Sequence, residues 1–280
     1  MNLNEKIVQY YDYHQKYYGT LWYNPENLAI HYGYWDSRTK THSEALLNMN
    51  KILAQISGIK STDLILDAGC GVGGSSIWLA KTYRAKTIGI TLSQKQVALA
   101  YNFARQNNVD YLVRFLVRDF LDTKFDDGYF DVVWGLESVC YAENKEDFVS
   151  EAQRILKDSG RLIVADGFIK KDETTGEEQK IIDVFCEGLA VPNLAKISEF
   201  KKYLEGSKFK NIKFFDITNN VIPSSKRMYQ GCKSFLPLIK ILEYFGITPK
   251  MLTMNTISGI KQYHAVIEGI GGYGIFYAKK

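Results

Sequence analysis

The chain has 280 residues, 46% of them apolar and 24% charged, with a formal net charge of +4, the profile of a soluble globular protein rather than a disordered one. No Lys/Arg block is long enough for a nucleic-acid groove, and so small a positive balance favours an anionic substrate or an anionic membrane surface only weakly. Cys70, Cys140, Cys186 and Cys232 form no C-x-x-C pair and the four His have no metal-ligand spacing, so no metal site is expected. The thiols fit a reducing, cytoplasmic setting, since the N-terminus lacks a secretory apolar run and no stretch is apolar enough to span a membrane.

The N-terminal segment carries Tyr10, Tyr11, Tyr13, Tyr17 and Tyr18 at helix-compatible spacing and is expected to stop at Asn24-Pro25. A second helix is expected from Thr41 to Ile59, with Thr41 and Glu44 as a capping box and Gly58 as its stop. An alternating pattern follows. Strands are expected at 63–69, 85–91, 113–120, 129–138 and 161–168, and helices at 74–83, 93–108 and 145–160, the last stopping at Gly160. That order implies a parallel sheet with helices on both faces. After Phe168 the regularity weakens to a helix at 197–209, a strand at 211–218 and a closing strand at 272–280. Residues 219–270 contain Pro223, Pro237 and Pro249 but are too long and too apolar for a loop, and are read as a helical insertion over the sheet.

Between the first strand and its helix lies LDAGCGVGGSS, residues 66–76. Gly69, Gly71 and Gly74 satisfy G-x-G-x-x-G, a turn that lets backbone approach a ligand at a helix N-terminus. A dinucleotide site also requires an acid at the end of the second strand, where this chain has Thr91-Leu92-Ser93. A phosphate loop requires Gly-Lys-Ser/Thr, and here the turn runs Gly74-Ser75-Ser76. A tight turn without ligand is the remaining option, at a cost in backbone entropy.

LDAGCGVGGSS resembles the first motif of the class I S-adenosylmethionine-dependent methyltransferases, with Asp67, Gly69, Gly71 and Gly73 at the matching positions. The resemblance implies a Rossmann-like seven-stranded α/β sheet with helices on both faces and a helical cap, and S-adenosyl-L-methionine as cofactor. IGITLSQKQ (88–96) resembles the second-strand end of the cyclopropane-fatty-acid synthase, tocopherol and sterol methyltransferase group, which implies ribose contacts from Thr91, Leu92 and Gln96. VRDF (117–120) matches the third-strand end, implying Asp119 at the adenine amino group and Phe120 beside the ring; Asp119 also fits a helix cap or turn acid. LAIHYGYWD (28–36) is similar to the group's lid, with His31 toward the cofactor carboxylate and Tyr32 near the sulfonium.

GLESVCYAE, ending the fourth strand, is similar to the E-S-x-x-Y of geranyl diphosphate C-methyltransferase. Glu137 is thereby the candidate base, or else a site acid that moves no proton. Tyr141 is a candidate to bond a substrate oxygen, to face a cation with its ring, or to form wall. Asp166 matches the catalytic Asp of some O-methyltransferases of the group, and also fits a capping role. Cys140-Tyr141 replaces the Glu-His that cyclopropanation uses. The boundaries expected are a lid over 1–60, a core over 61–218, a cap over 219–270 and a last core strand over 271–280. The acceptor is expected between lid and cap. There Phe235, Leu236, Leu238, Ile239, Leu242, Tyr244, Phe245, Met251 and Met254 suit a prenyl chain, quinone, tocopherol-like phenol or sterol, unless they pack on the sheet. Methylation at carbon is expected, with O- or N-methylation and a non-methylating, pericyclase-like protein as alternatives.

Overall fold

A computed structural model of the chain describes residues 1–22 and 26–280, without the side chains of residues 20 and 21. The stop expected at Asn24-Pro25 lies outside the described residues. Helix α1 (Leu3–Leu21) opens with a capping box between Asn2 and Glu5. Helix α2 (His42–Ser57) has the expected box between Thr41 and Glu44, and Gly58 closes it in the left-handed conformation, φ 62°.

The alternating region forms β1 (Leu64–Ala68), α3 (Gly74–Tyr83), β2 (Lys86–Thr91), α4 (Gln94–Gln106), β3 (Val113–Val117), β4 (Phe130–Leu136), α5 (Lys145–Ile155) and β5 (Leu156–Ile169). Helix α5 stops short of Gly160, because its last carbonyls bond elsewhere. Gly128 N donates to Arg154 O and Tyr129 N to Ile155 O, and Lys280 Nζ donates to Gln153 O and Leu156 O, each at 2.7 Å. Leu156 then pairs with Phe130, so the strand begins where more helix was expected.

Helix α6 (Gly176–Gly188) was not anticipated, although Thr175 and Glu178 form a complete capping box at its start. Then come α7 (Ile197–Gly206), β6 (Lys210–Asp216), α8 (Thr218–Tyr244), α9 (Lys250–Ile267) and β7 (Gly271–Lys279). Helix α8 continues through Pro223 and Pro237. Pro237 deprives the Lys233 carbonyl of its donor, and both residues are exposed, where water substitutes.

The sheet has seven strands in the order β3-β2-β1-β4-β5-β7-β6. Strands β1 to β5 pair in parallel and β7 runs antiparallel to both neighbours. Alternation along each strand separates two cores. On one face Ile65, Val132, Trp134 and Ile275 pack with Met49 and Leu53 of α2 and Leu79 of α3. On the other, Leu66, Ile90, Val133 and Phe276 pack with Phe148 of α5 and Phe200 of α7. Strand order reverses between β1 and β4, so their carboxyl ends flank the crevice where open α/β sheets hold ligands.

Candidate functional site

At that crevice a cavity of about 400 Å³ is lined by the glycine turn, the ends of β2, β3 and β4, residues 28–31 and the first turns of α1. Gly69, Gly71 and Gly73 all have positive φ (92°, 52° and 85°). A Cβ on Gly69 would stand 2.3 Å from the Ser138 Cβ, so glycine lets the turn lie under the end of β4. Gly73 does not line the cavity. It caps α3, and a Cβ there would meet the Phe115 ring at 2.8 Å, so its smallness serves packing.

Asp67, at the end of β1, accepts from Ser76 N at 3.1 Å and Ser76 Oγ at 2.7 Å, both on Oδ2. Burial pushes its pKa up to about 6 against the pull of those donors. No described residue donates to Oδ1. Across the turn, Thr91 Oγ1 donates to Gln96 Oε1 at 2.6 Å, which leaves Gln96 Nε2 buried without a partner. Leu92 lines the cavity beside them. Ser93 Oγ donates to Asp12 Oδ1 at 2.6 Å, and Lys95 pairs with Asp12 Oδ2 at 3.2 Å, tying α1 across the opening.

At the end of β3, Asp119 accepts from Leu121 N on Oδ1 and from Asn4 Nδ2 on Oδ2, each at 2.8 Å. A carboxylate oxygen takes more than one donor, so an amino group still fits. Phe120 lines the cavity and meets Phe148 edge-on, ring centroids 5.5 Å apart.

His31 lines the cavity and is buried. Its Nδ1 lies 2.8 Å from Tyr32 O. A carbonyl only accepts, so Nδ1 carries the proton. Burial lowers the His31 pKa to about 4, which leaves Nε2 an unprotonated acceptor without a partner. A carboxylate contact was expected here; an acceptor suits an ammonium group instead.

Glu137 follows β4 in the left-handed conformation, φ 49°, unusual for a side-chain-bearing residue. Its Oε1 accepts from Tyr32 N at 2.6 Å and from Tyr273 Oη at 2.7 Å. The carboxyl lies deep, and the cavity is the open space it borders. Burial raises its pKa to about 8, the two donors oppose the rise and the nearby Asp166 charge adds to it. In its carboxylate form, which grows as pH rises through about 8, such a group is a stronger base than an ordinary carboxylate.

Three expected site side chains are placed differently or used differently. Asp166 does not line the cavity. Its oxygens accept from Cys140 N at 2.9 Å and Gly167 N at 2.8 Å, and Lys145 Nζ donates to Cys140 O at 3.0 Å and Ala142 O at 2.6 Å. Together they hold the 3-10 turn Val139–Tyr141 behind Glu137. Tyr32 contributes its amide, while its hydroxyl turns away to Gln262 Oε1 at 2.9 Å. Tyr141 does line the cavity, but its hydroxyl accepts from Tyr11 Oη at 3.0 Å and donates to Leu189 O at 3.2 Å. It is committed to the protein, so its ring is what faces a ligand.

Residues of α1 and of the 28–36 segment meet α8 and α9, and side chains fill the contact. Asn255 Nδ2 donates to Tyr10 Oη at 2.6 Å, Tyr32 reaches Gln262 and Met228, and no residue of 219–270 lines the cavity. The apolar run of α8 instead includes exposed Phe235, Leu238, Tyr244 and Phe245. Leu3, Ile7, Val8 and Tyr11 of α1 supply the apolar wall that was expected of it. Their spacing along one helical face was the readable signal; Tyr273, far away in sequence, left none. Among the described residues no group of three or more His, Cys, Asp or Glu gathers as a metal site, and no helix is long and apolar enough to cross a membrane.

A doubly wound sheet, a glycine turn at its switch point and polar groups at two adjoining strand ends define an α/β enzyme that holds a nucleoside. A family model described as a methyltransferase domain matches residues 66–164. Chloroplastic tocopherol O-methyltransferase of Arabidopsis thaliana is 27% identical over 285 residues, 95% of this chain and 78% of that one. The 27-O-demethylrifamycin SV methyltransferase of Amycolatopsis mediterranei is 31% identical over 199 residues, 71% of this chain and 72% of that one. The solved geranyl diphosphate C-methyltransferase of Streptomyces coelicolor A3(2) shares the fold, with a TM-score of 0.75 at 20% identity over 100% of this chain and 98% of that one. The chain belongs to the class I S-adenosylmethionine-dependent methyltransferases, and S-adenosyl-L-methionine is its methyl donor.

The cavity fits that donor on three counts. The turn brings the backbone of Gly69 and Gly71 to the cavity wall. The buried Gln96 Nε2 is a donor awaiting an acceptor, and the buried His31 Nε2 an acceptor awaiting a donor.

Proposed function

We propose that the enzyme methylates a lipophilic small molecule at carbon, with Glu137 as the base. In this reading Asp67, Gly69, Gly71 and His31 hold the methionine end of the donor, with Gly73 shaping the turn. Thr91, Leu92 and Gln96 hold the ribose, and Asp119 and Phe120 hold the adenine. Residues 1–60 act as the lid, 61–218 with 271–280 as the donor-binding core, and 219–270 as the cap.

The observation that carries the reading is Glu137 itself. It borders the cavity in a constrained backbone conformation, with a pKa near 8 and two donors fixing one oxygen. Bound S-adenosylmethionine supplies an electrophilic methyl group on a sulfonium. The chain's own residues align the acceptor with it, exclude water and take the proton. When an alkene or ring carbon gains the methyl group, the adjoining C–H bond breaks and its proton passes to the Glu137 carboxylate. The Tyr11 and Tyr141 rings offer π faces to the positive charge in between. The α1 wall of Leu3, Ile7 and Val8 suits an apolar acceptor.

Methylation at oxygen is the second reading, favoured by the length over which tocopherol O-methyltransferase aligns. One experiment separates the two. The protein is incubated with 13C-methyl S-adenosylmethionine and prenyl diphosphates, quinols, tocopherol-like phenols and sterols, and the product is examined by NMR. A methyl carbon bonded to carbon supports the proposal; a methoxy or N-methyl signal overturns it.

A further inference from the structure

Helices α8 and α9 form a hairpin whose outer half stands clear of the body. No residue from Lys226 to Met251 is buried, while Ser224, Ser225, Leu252 and Thr253 on either side are. At its end Phe235, Leu238, Ile241, Tyr244, Phe245 and Ile247 are each more than half exposed. Phe235, Leu238, Ile241 and Phe245 recur at helical spacing on one side of α8. Lys226, Lys233 and Lys240 follow at seven-residue intervals, a second stripe roughly 130° round the helix from the first.

We propose that this hairpin tip docks on an anionic lipid surface, with its apolar stripe in the interface and its basic stripe against the headgroups. Charge selects the occupant. From Lys226 to Lys250 the segment carries Lys226, Arg227, Lys233, Lys240 and Lys250, all exposed, against a single acid, Glu243. A second copy of the tip would bring like charges together, whereas an anionic bilayer offers the opposite charge and an apolar layer beneath it. The aromatic pair Tyr244 and Phe245 precedes the turn at Gly246, φ 68°, and an exposed tyrosine suits the headgroup level of a bilayer. Among the described residues no helix is long and apolar enough to cross a membrane, so the contact proposed is a peripheral one. The inference does not depend on the acceptor, because lipid binding requires no turnover.

The test is co-sedimentation of the full chain with vesicles of phosphatidylcholine alone or of equal parts phosphatidylcholine and phosphatidylglycerol. Binding is expected to the mixed vesicles and to weaken as salt is raised. Leu238→Asp with Phe245→Asp is expected to weaken partitioning by about tenfold or more, and Lys233→Glu with Lys240→Glu by roughly tenfold or more. All four positions are exposed, so melting temperature and S-adenosylhomocysteine affinity should stay at the parental values. Absence of binding to mixed vesicles overturns the inference, as does equal binding by the substituted proteins. A concentration-dependent dimer in sedimentation velocity that the Asp variants dissolve also overturns it, making the tip an interface between copies.

Discussion

Glu137→Gln separates the two functions of that side chain, since it changes proton chemistry while keeping shape. In the folded protein the Glu137 pKa is raised from 4.5 to about 8, chiefly by burial. The unfolded chain releases this proton near the ordinary value, so between those pH values the folded state holds more protons and stability falls as pH rises. A tenfold change in proton affinity is ~1.4 kcal/mol, so at pH 7 the burden on the native state is on the order of 3 kcal/mol. Glutamine never ionises, and its carbonyl oxygen still accepts from Tyr32 N and Tyr273 Oη, the bonds Glu137 makes at 2.6 and 2.7 Å. The variant should therefore melt at a higher temperature than the parent at neutral pH. The gap should close near pH 4.5 and widen up to about pH 8. Turnover should fall by roughly 10²–10⁴, the usual worth of a positioned base, while calorimetric S-adenosylhomocysteine affinity holds. Undiminished turnover would refute the base role. A stability difference that does not vary with pH would refute the burial argument.

Tyr273→Phe removes one of the donors that hold the Glu137 pKa down, so the midpoint of the pH–rate profile should move upward, with kcat affected more than KM. Gly69→Ala puts a Cβ 2.3 Å from the Ser138 Cβ at φ 92°, which should cost roughly 3 kcal/mol in urea denaturation and weaken S-adenosylhomocysteine binding. Arg161→Met removes the partner of the buried Asp63, 2.6 Å away, and the donor to the Ser57 and Gly58 carbonyls that end α2. It should lower stability by about 3–5 kcal/mol and leave S-adenosylhomocysteine affinity unchanged.

What the sequence made legible was local. The glycine turn, Thr91 with Gln96, Asp119 with Phe120, and Glu137 each lie at the end of a short apolar strand, where a few adjacent residues decide both backbone and chemistry. The strands and helices of the core announced themselves through period and caps. Positions decided by distant partners stayed hidden. Tyr273 reaches Glu137 only because β7 lies beside β5. Asp166 reads like a catalytic acid, and only the fold shows both its oxygens bound to the Cys140 and Gly167 amides. Helix α5 yields to β5 before Gly160 where the Gly128 and Tyr129 amides take the Arg154 and Ile155 carbonyls and Lys280, far away in sequence, takes that of Gln153. The apolar run of α8 reads like pocket wall, since hydrophobicity does not say which side of a helix meets protein and which meets solvent.

A crystal structure with S-adenosylhomocysteine bound tests the central claim most directly. The account predicts the nucleoside between Gln96 and Asp119, the amino-acid end against Gly69 and Asp67, and the sulfur facing Glu137. A ligand whose sulfur points away from Glu137, or one bound outside this cavity, would contradict it.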